Sequence, residues 1–385
     1  MIELHGCYEP QFAPLVNTFI GMFTRNPTSF GLPEVGAALS LTIAGEPMVD
    51  VWAGTRADGI RPWQADTLVP VLSCTKGIVA IAFHRLAAAG LIDVNAPVAA
   101  FWPEYAQNGK GDVLVRHLLT HSAGQPILGS DLGAGGVWDW DPVVSAFAAA
   151  RLQWEPGAAL GYHTLSFGHL VGEVIGRASG RPVAAHIAEV ARAAGGEFHL
   201  GITDTGVLAR CDDLTDPPAN SPDIEIVRRS HGVNFERAAD YDDRVLLTPA
   251  CLRTAAWKAA GFPGAGGFTN ARGLAAIYGA LANGDILPLD YLADVSAEYA
   301  RGPDRTLGTE QAFALGWQRC LPDRANRPTT GFGHSGAWGS LGWCEPERRI
   351  GFGYTMNRTF GFGGDERGAH LWRAATACMT PTSPS

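Results

Sequence analysis

The sequence predicts an α+β fold: an antiparallel β-sheet built from both chain ends and flanked by helices, plus an inserted, mostly helical lobe. Strand-like segments lie near both ends of the chain, and helix-like segments lie between them. The regular strand–helix alternation typical of a parallel sheet is absent. The 385 residues, 46% of them hydrophobic, also exceed the size of one small domain. We expect an α/β lobe from residues 1–72 and 260–385, a helical lobe from residues 73–259, and a site in the cleft between them.

Apolar periodicity and turn residues predict the individual elements. Near the N-terminal end a helix precedes a hairpin, with strands at residues 35–43 and 48–52. The later strands are predicted at residues 312–321, 331–338, 341–344 and 350–356, before a closing helix at 366–379. The central helices are predicted at residues 73–89, 114–119, 143–152, 166–179, 183–194 and 272–282. Residues 211–244, rich in Asp, Pro and Arg, predict a long surface loop.

Composition and charge exclude several classes of function. The net charge is −9 and no basic stripe exists, so neither nucleic acid nor an anionic membrane is an expected partner. No run of 18 apolar residues predicts a membrane span, and the N-terminal residues lack a signal-peptide pattern, so we expect a cytoplasmic protein. Seven cysteines, odd in number and without a CxxC pair, predict reduced thiols rather than a disulfide framework or a zinc site.

Ser73 and Lys76 form the most informative motif. Residues 69–72 are extended and lead into an apolar, buried helix, and a spacing of three places both side chains on one helix face. The free N–H groups and the positive end of the helix dipole lie at Ser73. A dry site near positive potential disfavours the lysine ammonium, so a neutral amine can take the serine proton. The alternative is a helix-capping serine beside a lysine whose stem packs on apolar surface. The chain has only three lysines, the others being Lys110 and Lys258, which makes a chance pairing rare.

The competing serine motif is the G-x-S-x-G turn of the α/β-hydrolases. It occurs nowhere in the chain. The nearest match surrounds Ser335, but Ala337 replaces the last glycine and no helix follows directly. Ser335 is therefore the weaker candidate nucleophile.

Two further segments carry candidate site residues. Tyr162 follows a Pro-Gly turn, and a phenol beside Lys76 can relay protons to a leaving group. Residues 333–338, GHSGAW, predict an edge strand whose small side chains let a substrate approach the backbone. Its N–H groups can complete an oxyanion hole with that of Ser73. The alternatives are a packed loop tyrosine and, for His334, a half-buried strand residue.

Taken together, these segments resemble the penicillin-recognising serine hydrolases, which comprise the class C β-lactamases, the DD-peptidases and the β-lactamase-like family VIII carboxylesterases. The three motifs that carry the resemblance are Ser73-x-x-Lys76, Tyr162-x-Thr164 and His334-Ser335-Gly336. Residues 92–98, 116–124 and 266–275 are similar to further family segments, among them "RHLLTHTSG". The resemblance extends along most of the chain.

The resemblance implies the family fold and an acyl-enzyme mechanism without a metal or organic cofactor. Ser73 would attack the carbonyl with Lys76 as the base, and Tyr162 would serve as general acid and base. The backbone N–H groups of Ser73 and Ala337 would form the oxyanion hole. The residues expected at the substrate are Thr164, His334, Ser335, Gly336 and Trp338.

Two departures from the family pattern favour the carboxylesterase branch. Thr164 replaces the usual asparagine and lacks the paired donor and acceptor of an amide. His334 replaces the usual lysine, so the fixed cation for a β-lactam carboxylate is lost. We therefore expect hydrolysis of small to medium acyl esters, with weak β-lactam hydrolysis still among the expectations.

Other hypotheses stay open at this point. An amide-bond hydrolase such as a D-amino-acid amidase, or an acyltransferase, can use the same scaffold, because acyl transfer needs only an alcohol or amine that outcompetes water. A non-catalytic binding protein of this fold is the alternative of another class, against which the intact Ser73, Lys76 and Tyr162 argue. Trp338, beside Ala337, is the preferred member of an acyl pocket, with ordinary core packing as the alternative. The acyl group preferred and the oligomeric state cannot be derived from the sequence.

Overall fold

The predicted antiparallel sheet forms the centre of the molecule. The computed structural model describes residues 2–24, 33–127, 137–215, 247–321, 328–359 and 365–379. Within them, nine antiparallel strands pair in the order β1-β3-β2-β12-β11-β10-β9-β8-β7. These strands are β1 (Leu4–Tyr8), β2 (Gly36–Ile43), β3 (Glu46–Gly54), β7 (Ala300–Pro303), β8 (Glu310–Phe313), β9 (Gln318–Cys320), β10 (Pro328–Ser335), β11 (Leu341–Glu345) and β12 (Ile350–Met356). Strands from both ends of the chain thus share one sheet, which confirms the predicted fold class.

Helices cover both faces of the sheet. In the described residues they are α1 (Ala13–Gly21), α2 (Cys74–Ala88), α3 (Val115–Leu119), α4 (Trp140–Ala149), α5 (Ser166–Ser179), α6 (Val183–Ala193), α7 (Thr205–Arg210), α8 (Pro249–Leu252), α9 (Ala255–Ala260), α10 (Ala271–Asn283), α11 (Leu289–Val295) and α12 (Arg367–Cys378). None of these helices is long and apolar enough to cross a lipid bilayer.

Strand β12 explains how two helices cover opposite faces. Successive side chains of a strand point to opposite faces. A Cβ on Gly353 would lie 2.1 Å from the carbonyl oxygen of Ala271, so the glycine lets helix α10 lie directly on the backbone. The neighbouring Phe352 contacts Trp372 of helix α12 on the other face, with ring centroids 5.4 Å apart.

A buried ion cluster joins the two ends of the described chain. The Arg367 guanidinium, at the start of α12, donates to both carboxylate oxygens of Glu34 at 2.7 and 2.8 Å. It also donates to Asp365 and to the carbonyl oxygens of Trp338 and Arg358. A guanidinium presents five N–H donors in a planar fork, which suits it to several acceptors at once.

A small second sheet fixes the start of helix α2. It consists of β4 (Val69–Pro70), β6 (Gly267–Thr269) and β5 (Phe198–Leu200), paired in that order. The Val71 N–H donates to the Gly267 carbonyl, and the Gly267 N–H donates to Thr75 Oγ1, each at 3.0 Å. The entry into α2 is therefore held from both sides.

The structure changes some predicted elements. The strand predicted at 312–321 is divided into β8 and β9 because Gly316 turns the chain with φ +97°. The strand predicted at 331–338 ends at Ser335, and Ala337–Gly339 forms a 3-10 turn. Strand β1, at the sheet edge, was not predicted. Most of the predicted loop at 211–244 lies outside the described residues, and the lobe boundaries at 72/73 and 259/260 stay predictions.

Candidate active site

Ser73 lies at the start of helix α2, shortly after strand β4, as the sequence predicts. It is the N-cap residue of α2, yet its side chain makes no capping hydrogen bond. The preceding Leu72 has φ +44°, a conformation that is strained for a branched side chain. Ser73 is 8% exposed. The Ser73 hydroxyl is therefore not used to cap the helix that follows it.

Lys76 lies one turn into α2 and is fully buried. Its Nζ donates to Ser73 Oγ at 3.0 Å and to the Gly264 carbonyl oxygen at 2.7 Å. The distance to Ser73 is that of a direct hydrogen bond, along which a proton can pass. The structure thus brings together the serine and the lysine that the sequence pairs.

Tyr162 completes the group. The Lys76 Nζ lies 4.8 Å from the centroid of the Tyr162 ring, and the Ser73 side chain is close enough to that of Tyr162 to act on its pKa. Burial raises the pKa of Tyr162 above its ordinary value, so the phenol is neutral at pH 7. Three proton-carrying groups, an amine, an alcohol and a phenol, therefore converge at one point.

The end of strand β10 lies against the start of α2. Cys74 Sγ donates to the His334 carbonyl oxygen at 3.1 Å. A Cβ on Gly336 would lie 2.3 Å from the Val71 carbonyl oxygen, so only glycine permits this approach. The backbone of residues 334–336, and with it Ala337, is thereby placed beside the segment that carries Ser73.

His334 and Ser335 are both held by local hydrogen bonds. His334 Nδ1 lies 2.8 Å from the Ser335 carbonyl oxygen, which can only accept, so Nδ1 carries the proton. Burial lowers the pKa of His334 to about 3. The ring is therefore neutral at pH 7. The Ser335 N–H and hydroxyl both donate to Gln318 Oε1 at 2.9 Å, so this hydroxyl has an amide partner rather than a base.

Thr164 and Trp338 are the remaining residues that the sequence predicts at the substrate. Thr164 is half-buried, and its carbonyl oxygen would lie 3.1 Å from a Cβ on Gly264, the residue whose carbonyl accepts from Lys76. Trp338 is 1% exposed, packs in the hydrophobic core, and has φ +68°. Their contacts with a substrate stay predictions.

Sequence reasoning missed two residues that contact the Tyr162 loop. The Tyr162 N–H donates to Asp304 Oδ1 at 3.0 Å, and the His121 ring centroid lies 4.7 Å from that of Tyr162. His121 lies in the segment 116–124 quoted for the resemblance, which was the available signal. No signal near Asp304 indicated the contact.

A metal ion would need several ligating side chains close together. Within the residues described, no group of three or more His, Cys, Asp or Glu side chains could hold a metal ion. A cavity of about 730 Å³ lies behind the Tyr162 loop, lined by residues such as Leu160, Asp304 and Arg305 and not by Ser73 or Lys76. Because it lacks the three converging groups, we place the site at Ser73.

Comparisons with known proteins identify the family of the chain. The beta-lactamase family model matches residues 31–377. The esterase/beta-lactamase LipL of Mycobacterium tuberculosis is 32% identical over 379 residues, covering 92% of this chain and 83% of that protein. A family VIII carboxylesterase structure has 34% identity and a TM-score of 0.85, covering 98% of this chain and 100% of that chain. A penicillin-binding protein homologue from Caulobacter crescentus has 28% identity and a TM-score of 0.84, with 98% and 100% covered. The chain described here belongs to the beta-lactamase family.

Proposed function

We propose that this protein is a serine carboxylesterase that acts on small to medium acyl esters through an acyl-enzyme on Ser73. The observation that carries the proposal is the 3.0 Å hydrogen bond from the buried Lys76 amine to the Ser73 hydroxyl. The similarity to LipL and to a family VIII carboxylesterase supports the ester as substrate.

In the first step Ser73 Oγ forms a bond to the ester carbonyl carbon while its proton passes to Lys76 Nζ. The step needs Lys76 in its neutral form, because only a neutral amine has the lone pair that accepts that proton. The backbone N–H groups of Ser73 and Ala337 stabilise the resulting oxyanion. The bond from carbon to the leaving oxygen then breaks, and this oxygen receives a proton from Tyr162, which is reprotonated from Lys76.

In the second step water attacks the acyl carbon. Tyr162, deprotonated through Lys76, takes the water proton, and the bond to Ser73 Oγ breaks as that oxygen regains its proton. Acid and alcohol leave, and the enzyme returns to its initial protonation state. No oxidant, reductant or metal enters this balance.

Two features of the site favour an ester over a β-lactam. The neutral His334 offers no fixed cation to a lactam carboxylate. Thr164 offers one hydroxyl where an amide would pair twice with an amide side chain. We therefore expect faster turnover of a short-chain ester than of a cephalosporin.

The test compares the native protein with Ser73→Ala and Ser335→Ala. Each receives a p-nitrophenyl ester, a chromogenic cephalosporin and, separately, a serine-directed phosphonate followed by intact-protein mass measurement. We expect one phosphonate adduct in the native protein and in Ser335→Ala, and none in Ser73→Ala. Ester turnover that survives Ser73→Ala would refute the mechanism, and no turnover with no adduct would favour a binding protein. Faster turnover of the cephalosporin than of the ester would indicate β-lactam hydrolysis instead.

A further inference from the structure

The loop that carries Tyr162 is held by three consecutive backbone donors. The Gly161 N–H donates to the His121 carbonyl oxygen, the Tyr162 N–H to Asp304 Oδ1, and the His163 N–H to His121 Nδ1, each at 3.0 Å. Two residues, His121 and Asp304, thus take every N–H of the segment 161–163. We call this arrangement the tyrosine clamp.

His121 contributes both its backbone and its ring to the clamp. Its Nδ1 accepts from a backbone N–H, so the ring is neutral with its proton on Nε2. The residue is 1% exposed, and its ring lies 4.7 Å from the Tyr162 ring and 4.6 Å from the Phe313 ring. Its φ of +56° is uncommon for a residue other than glycine. Such an outlier persists only where the surroundings over-determine it, and outliers cluster at functional sites.

Asp304 contributes a buried carboxylate from a distant part of the chain. Its Oδ1 accepts from the N–H groups of Tyr162, Thr306 and Leu307 at 3.0, 2.9 and 2.8 Å. The Arg305 N–H donates to the Leu160 carbonyl oxygen at 2.9 Å. The Asp304 carboxylate and the Arg305 N–H therefore join the Tyr162 loop to the turn after strand β7, one on each side of Gly161.

We propose that His121 and Asp304 are positioning residues that hold the Tyr162 phenol against Ser73. This inference rests on the proposed function, because it gives Tyr162 a proton to carry. A ring on a loop has the freedom to leave its partner, and a misplacement of about 1 Å can reduce turnover about 100-fold. The competing interpretation is that the clamp stabilises the fold and has no separate effect on turnover.

The first test is a double-mutant cycle on the ester reaction. Tyr162→Phe should reduce kcat by about 100–10,000-fold, and Asp304→Ala by about 10–100-fold with a smaller change in KM. If Asp304 acts through Tyr162, adding Asp304→Ala to Tyr162→Phe should cost nothing further in kcat. Multiplying effects in the double variant, or an Asp304→Ala kcat within about 3-fold of native, would overturn the proposal while leaving the esterase assignment intact.

The second test is rescue at His121. Asparagine supplies an acceptor oxygen near the position of Nδ1 and tolerates positive φ, whereas alanine does neither. His121→Asn should retain kcat within about 10-fold, and His121→Ala should fall about 10–100-fold below it. His186→Ala, which removes a buried histidine in α6 whose Nε2 pairs with Ser179, measures the effect of general destabilisation. An equal loss of kcat in His121→Asn, His121→Ala and His186→Ala would contradict the clamp.

The third test does not depend on turnover. Amide hydrogen exchange at Tyr162 and His163 should be slow in the native protein and in His121→Asn. It should be at least about 10-fold faster at Tyr162 in Asp304→Ala and at His163 in His121→Ala, because these variants remove the side-chain acceptors. Unchanged exchange in both alanine variants overturns the clamp whether or not the protein hydrolyses esters. If the native protein shows no ester turnover, the proposed function fails, and the exchange rates still decide whether the clamp holds the loop.

Discussion

Two buried lysines occupy environments that look alike in several respects and differ in one. Lys76 and Lys110 are both fully buried, and each Nζ lies over a tyrosine ring, 4.8 Å from that of Tyr162 and 5.2 Å from that of Tyr105. The Lys110 Nζ donates to the backbone carbonyl oxygens of Gln107, Ala148 and Ala150. The Lys76 Nζ instead donates to a hydroxyl, that of Ser73, as well as to a carbonyl.

The difference separates a structural lysine from a candidate base. Three carbonyl acceptors match the three N–H donors of an ammonium, so Lys110 is built to remain charged although burial lowers its pKa. A hydroxyl can give its proton to an amine, and carbonyl oxygens cannot. Burial and an aromatic neighbour therefore do not distinguish the two lysines, but an alcohol within hydrogen-bond distance does.

Lys76→Met should lower the activity of the protein. Methionine keeps much of the apolar stem and removes the amine, so kcat/KM for an ester should fall about 100–10,000-fold, the usual contribution of a general base. The thermal unfolding midpoint, measured on the same preparation, separates loss of the base from loss of the fold. Retention of more than a tenth of the native kcat/KM would show that Lys76 is not the base.

Lys110→Met should lower the stability of the protein and leave its activity nearly unchanged. Removal of the ammonium leaves three backbone carbonyl oxygens without their donor, and we expect a loss of about 3 kcal/mol in the free energy of unfolding. Below the unfolding transition, kcat should stay within about 3-fold of native, since the Lys110 ammonium contacts Gln107, Ala148, Ala150 and the Tyr105 ring rather than Ser73 or Tyr162. Urea denaturation and ester kinetics on the same preparation measure both. A large fall in kcat with unchanged stability would contradict the structural assignment.

His163, whose neutral ring lies near Lys76, should make the stability of the protein depend on pH. Burial lowers the pKa of His163 to about 4, against an ordinary value of 6.5 in the unfolded chain. Between pH 6.5 and 4 the unfolded chain binds this proton and the folded protein does not. The histidine's contribution to stability is therefore complete above pH 6.5 and falls as the pH is lowered, by about 2 kcal/mol between pH 7 and 5.

His163→Asn tests this contribution because asparagine keeps a donor for the Gly161 carbonyl and does not titrate. Urea denaturation at pH 7 and pH 5 should show the smaller acid loss in the variant. An equal loss in both proteins would place the acid sensitivity elsewhere.

The sequence was most informative where the chemistry is local. Ser73 and Lys76 are three residues apart on one helix, so their contact follows from helix geometry alone. The fold class followed from alternating patterns such as that of β3, in which Val49, Val51 and Ala53 are buried. Such periodicities survive folding because each strand or helix buries one face.

The rest depended on contacts that no local pattern encodes. The hydrogen bond from Tyr162 to Asp304 spans 142 residues, and that from His163 to His121 spans 42. Strand β1 was missed because its residues, LHGCY, lie at the exposed edge and show no clear alternation of burial. The division of residues 312–321 depended on the turn at Gly316, which a single apolar run conceals.

Strand β12 lies inside the sheet but is the last of its strands to be synthesised. Strand β2, which is made early, therefore waits for its partner while the chain is still on the ribosome. Strand β2 pairs with β12 along its length, and the hydrogen bond from the Gly36 N–H to Asn357 spans 321 residues. At about 5–20 residues per second, the early hairpin exists for about 15–60 s before its partner strand is made. Through that interval β2 presents an open apolar edge, the kind of template on which nascent chains aggregate. The nascent chain is therefore exposed to edge-to-edge association until β12 is made.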